Sequence, residues 1–178
     1  MRAVVPPAWS AQFQNAAGEY WRALERMGVN EVLVLQSDCE GDGTDFTADE
    51  TFLLLWGEPR EFDLSAAAAL HRVRHGALTL VLSPWGEGDW WVACDGRGQV
   101  NYLEDNPPTV RCAQVMACAG AAICEPMPGI PLPRDGEELL ALLRFWMDRG
   151  ELWGAPSERG ESLAAMGEEV TENPLYFL

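Results

Sequence analysis

The densest chemistry in this chain sits in one short run. Residues 38–50 read "DCEGDGTDFTADE", six carboxylates and two glycines in thirteen positions. Counting from Asp38 as position 1, Glu40 falls at 3, Asp42 at 5, Gly43 at 6, Thr44 at 7 and Asp49 at 12. An EF-hand calcium loop wants side-chain oxygens at 1, 3, 5 and 12, a backbone carbonyl at 7, and glycine at 6 for the sharp turn. The spacing therefore admits calcium held by Asp38, Glu40, Asp42 and Asp49. Against it, position 8 is the polar Asp45, position 9 is Phe46 with no oxygen to give, and Asp49 is shorter than the usual glutamate. The flanks read as strands, not as the helix pair of the motif. Two other readings compete: a solvated loop between strands, and an exposed anionic face that meets arginines and lysines of a partner. In the latter, Asp38, Glu40, Asp42, Asp45 and Asp49 are the contact residues.

Other side chains offer less. His71 and His75 stand four apart, which on a helix puts both imidazoles on one face and supplies half of a zinc site. Arg72 follows His71 where a metalloprotease helix has its glutamate, so no general base is supplied. The plainer role is charge near a helix C-terminus. Five cysteines (Cys39, Cys94, Cys112, Cys118, Cys124) form no C-x-x-C pair. They read as reduced, mostly buried thiols of a cytoplasmic protein. Carboxylates are so numerous that no acid/base pair stands out. Eight tryptophans are a surplus. Trp90 and Trp91 are adjacent, so on a strand they face opposite ways. One fills the core and the other meets a covering helix, a partner or water; an exposed tryptophan beside acids would anchor an interface.

Composition removes whole classes of chemistry. The 178 residues carry 28 acidic and 12 basic side chains, a net charge of −16, and every basic residue is arginine. Without lysine there is no phosphate-loop lysine, no Schiff base and no kinase ion pair. Nucleic-acid binding rests on cations that displace counterions from phosphates, and this charge opposes it. The same field attracts a basic protein and speeds its capture. The N-terminal "MRAVVPPAWSAQFQ" lacks the apolar core of a secretory signal, and no run reaches the ~18 apolar residues of a membrane span.

The elements that must position these residues read as follows. Phe13, Ala17, Tyr20, Leu24 and Met27 recur at helical spacing over residues 11–27, with Ser10 as cap and Gly28 as stop. Strands are expected at 31–37, 51–57, 77–85, 89–94 and 99–105, the last two joined by the tight "DGRG" turn. A short helix spans 65–76. Residues 110–123 suit a buried strand or a packed helix, with strand preferred. The clearest helix is 135–150, where Asp135 and Glu138 have capping-box spacing and Leu139, Leu142, Leu143 and Trp146 form one stripe. A weak helix follows at 158–166, and the apolar "PLYFL" end is expected to dock on the body. The pattern predicts one α+β domain over residues 1–178: an antiparallel sheet, a meander of about five strands, with helices packed mainly on one face.

"GEGDWWVACDGRGQVNYLED" followed by the helix from Asp135 resembles, in order of elements, the SUKH family of immunity proteins. That resemblance covers the middle third and one helix; the second glycine pair and the N-terminal signature are absent. The functional expectation is a non-enzymatic acidic bacterial protein that binds a basic protein partner, most concretely an immunity protein neutralising a toxin. The contact residues would be those of the acidic run with Trp90 and Trp91. The alternatives are a metal-dependent hydrolase built on the carboxylate cluster and an acidic secretion chaperone. No cofactor is expected beyond the calcium that the spacing admits, and no nucleic acid or membrane.

Overall fold

Two runs in the middle of the chain are buried without interruption. In the computed structural model every residue of Phe52–Leu55 and of Leu78–Ser83 is buried. A strand buried on both faces needs a layer on each side of its sheet. That requirement decides the architecture.

The structure describes residues 1–15, 17–35, 50–57, 62–83, 88, 90–105 and 115–157. Its elements are β1 (Arg2–Val5), a 3-10 turn (Pro7–Trp9), α1 (Ser10–Asn15), α2 (Ala17–Arg26), β2 (Glu31–Val34), β3 (Phe52–Leu55), α3 (Ser65–Arg74), β4 (Leu78–Ser83), β5 (Trp91–Cys94), β6 (Val100–Glu104), β7 (Val115–Cys124), α4 (Gly136–Asp148) and β8 (Leu152–Pro156). The eight strands form one mixed sheet of order β2-β1-β3-β7-β4-β8, with β5 pairing β7 and β6 beside that path. β1 is parallel to both β2 and β3, and β4 is parallel to β8. β7 runs antiparallel between β3 and β4, so β1, β2, β3, β4 and β8 all point one way.

Each face has its own core. Phe52 and Leu54 of β3 point into one, with Leu139 and Leu143 of α4 and with Val92, Val100 and Leu103 of the β5–β6 ribbon. Leu53 and Leu55 point into the other, with Phe13, Tyr20 and Leu24 of α1 and α2 and Ala67 of α3. Each fully buried leucine contributes about 1.5–3 kcal/mol by leaving water. α4 begins as its sequence dictates: the Asp135 side chain accepts from the Glu138 amide at 2.9 Å. Glu138 reaches back one residue further than a regular capping box and accepts from the Arg134 amide at 2.8 Å.

The five-stranded antiparallel meander is thus corrected to a mixed eight-stranded sheet with helices on both faces. The error was the assumption that strands near in sequence pair. β4 and β5, though consecutive, are not partners; β7 lies between them and pairs with both. The expected helix over 11–27 is found as α1 and α2, on either side of residue 16, which lies outside the described residues. Residues 110–123 do hold a strand, from Val115 onward. The expected helix at 158–166 and the "PLYFL" end lie outside the described residues. Among the described residues no helix is long and apolar enough to cross a membrane.

Candidate functional site

The chain leaves β1 toward β2 on one side and later adds β3 on the other. In open α/β sheets a ligand crevice forms outside the carboxyl ends of the strands where the order reverses in this way. Here that place is the end of β1, at Val5, between the ends of β2 and β3.

Three tryptophans mark this edge. Trp9 closes the 3-10 turn after β1 and packs against both cores. Its ring lies against Gly136 at the start of α4, where an added Cβ would be 3.9 Å from Trp9 Cζ2. Trp56 follows β3, is 1% exposed, and packs on Trp90 with ring centroids 5.8 Å apart at 36°. The Trp56 amide donates to the carbonyl of Gly120 at 2.9 Å. Gly120 has φ +82°, and β7 carries two extra residues there relative to β4, since Leu80 pairs Ala122 while Leu82 pairs Cys118. The bulge brings the two backbones so close that a Cβ on Gly120 would sit 2.5 Å from the Trp56 oxygen. Farther along the edge, Ser157 after β8 is buried and its hydroxyl accepts from the Asp63 amide at 2.9 Å. The Asp63 carboxylate accepts from the Ser65 amide at 2.8 Å and so begins α3.

At the opposite, amino edge stands a second polar group. α3 carries His71 to the start of β4 and the end of β7. Its Nδ1 is 2.8 Å from Thr79 Oγ1, and its Nε2 is 3.0 Å from Glu125 Oε1. The Thr51 hydroxyl donates to the other Glu125 oxygen at 3.3 Å. Hydroxyl, imidazole and carboxylate follow one another as in a nucleophile relay. Thr79, however, has no exposed surface. The network therefore joins α3 to the sheet and attacks nothing. Burial pushes the His71 pKa below its ordinary value, against the pull of the Glu125 charge.

The sequence-derived site residues separate accordingly. Asp38, Glu40, Asp42, Asp45 and Asp49 lie outside the described residues, as do Cys39, Trp85 and Cys112. Trp90 is 6% exposed and belongs to the core beside Trp56, while Trp91, half-buried, pairs with Glu104 and Ala117. His71 and His75 do not converge: His71 is buried on Thr79 and Glu125, and His75 is the exposed C-terminal cap of α3 at φ 50°. No group of three histidine, cysteine or acidic side chains among the described residues is placed to hold a metal. Sequence reasoning missed the pairing of His71 with Glu125, 54 residues away, for which no local pattern exists. It also missed the turn after β1, whose signal was the rare Pro6-Pro7 pair next to Trp9.

No protein-family model matches the chain, and no curated protein is similar in sequence. Solved structures do resemble it. A glucose-1-phosphate thymidylyltransferase from Bacillus anthracis, in complex with a sucrose, superposes with a TM-score of 0.54 at 13% identity, over 97% of this chain and 78% of that one. An inositol-1-phosphate CTP transferase from T. maritima gives 0.50 at 10% identity, over 87% and 84%. The fold resembles that of these two transferases. This corrects the functional expectation: the likeness to immunity proteins rested on a local order of elements, whereas this similarity runs through nearly the whole chain. Toxin neutralisation goes with it; the carboxylate-hydrolase alternative rests on the acidic run, which lies outside the described residues.

Proposed function

We propose that this protein binds a nucleoside- or sugar-type ligand at the carboxyl ends of β1 and β3. One observation carries the reading: β1, parallel to a neighbour on each side, is the point where the strand order reverses. Fold likeness supports the ligand class. One neighbour is named for glucose-1-phosphate and thymidylyl transfer, the other for inositol-1-phosphate and CTP. Trp9, half-buried at this edge, supplies an aromatic surface on which a base or sugar ring packs, while Trp56 and Trp90 are buried in the core that it packs against. The cytoplasm is the proposed compartment, in keeping with the free thiols of Cys94, Cys118 and Cys124.

The test is a panel of thymidine, cytidine, glucose, inositol, their 1-phosphates and the matching triphosphates, scored by thermal shift and tryptophan emission. A true ligand raises Tm by mass action and perturbs the emission. Hydrogen exchange should then slow at residues 8–10 and 56–57. Protection confined to the amino edge, or no response to any compound, overturns the reading.

A further inference from the structure

A phosphate held at the end of the first strand of such a sheet needs free backbone amides in the turn, usually from glycines, and the N-terminus of the helix that follows. In this chain the turn has none to offer. Pro6 and Pro7 have no N–H. The Ala8 amide donates to the Arg134 carbonyl at 3.1 Å, and the Trp9 amide to the Pro6 carbonyl at 3.1 Å. The Ser10 amide donates to the Pro7 carbonyl. Every backbone donor from residue 6 to residue 10 is missing or engaged. The Trp9 ring stands over the start of α4 instead of leaving an opening there.

Among the described residues, side chains do not make good the loss. The chain has no lysine and a net charge of −16. Arg134 is carried to this turn by its own carbonyl, but its guanidinium is held by Glu138, with Nε 3.0 Å from Oε1. A polyphosphate against this turn would exchange its water for unpaired oxygens in a repulsive field, which is a large cost with no compensating contact from the described residues.

We infer that the Pro6–Ser10 turn excludes phosphate, so that the ligand at this edge is an uncharged nucleoside or sugar and no nucleotidyl group is transferred. This rests on the site reading above. Titration calorimetry of cytidine, CTP with magnesium, glucose and glucose-1-phosphate tests it, alongside pyrophosphate release from dTTP plus glucose-1-phosphate. The uncharged compound of each pair should bind at least as tightly as its phosphorylated partner, and no pyrophosphate should appear. CTP binding ten-fold tighter than cytidine, or dependable pyrophosphate release, overturns the inference while leaving the site intact. If no compound binds, the site itself is wrong and the inference falls with it.

Discussion

His71 Nε2 and Glu125 Oε1 lie 3.0 Å apart, and that contact joins the middle of the chain to the far end of β7. His71 is 4% exposed and Glu125 nearly half exposed, so the imidazole bears the cost of burial and the carboxylate keeps its water. With the imidazole neutral, Nε2–H donates to Glu125, Nδ1 accepts from the Thr79 hydroxyl, and no member lacks a partner.

The sign of the pH effect follows from burial winning over the Glu125 charge. The folded protein holds His71 neutral below the ordinary value of 6.5, where the unfolded chain already takes up a proton. Stability is therefore full above 6.5 and is lost as pH falls toward the lowered folded value. The urea midpoint should drop between pH 7.5 and pH 5.5, and His71→Gln should flatten that drop. Glu125→Gln removes the charge that favours the imidazolium and should deepen it. An identical slope in all three proteins would show that His71 does not titrate between the two states.

Gly120 is the residue whose replacement should do most harm for its size. Alanine there must adopt φ +82° and meets the Trp56 oxygen at 2.5 Å. The left-handed conformation costs about 1–2 kcal/mol and the overpacking about 1–3 kcal/mol. Gly120→Ala should lower the unfolding free energy by roughly 2–5 kcal/mol, read as a shifted urea midpoint with unchanged slope. Gly96, where an added Cβ would meet nothing within 4 Å, is the control and should tolerate alanine.

Much of the secondary structure was legible, and little of the pairing. The β5–β6 hairpin and α4 announce themselves locally, through an Asp-Gly turn and an aspartate cap. β1 hides because four residues before Pro6 are too few to show a period, and β8 hides because "LWGAP" contains glycine and proline. Parallel pairing leaves no local trace, since β1 meets β3 across some fifty residues. One clue was present: "FLLL" does not alternate, and unbroken apolar strands belong to sheets covered on both faces. The candidate site was less visible still. It is made by the reversal of strand order at β1, a property of the whole sheet, and the acidic run that dominated the sequence contributes no described residue to it.

The N-terminus of α4 should matter to the turn after β1 as well as to itself. Asp135 caps the helix, and the neighbouring Arg134 carbonyl receives the Ala8 amide. Asp135→Ala should cost about 1 kcal/mol of stability, and Asp135→Asn much less, because asparagine also caps. Hydrogen exchange at Ala8 should quicken in the alanine variant and not in the asparagine one. Unchanged exchange at Ala8 would mean that the turn holds its shape without α4.

The thiols should be slow to react, for reasons that differ in weight. Burial first, and the Asp95 charge second, push the Cys94 pKa up to about 11. Cys124 is fully buried and is pushed up further by the same cause. Thiolate is the reactive species, so iodoacetamide at pH 8 should leave Cys94, Cys118 and Cys124 unlabelled in the native protein and label all three in urea, as located by peptide mass spectrometry. Asp95 also holds its turn by accepting from the Arg97 and Gln99 amides at 2.8 and 2.9 Å. Asparagine keeps an acceptor there, so Asp95→Asn tests the charge without dismantling the turn. Since burial is the larger cause, that variant should quicken Cys94 labelling only slightly. Rapid labelling in the unaltered protein would show that β5 opens to solvent far more often than its place between β6 and β7 implies.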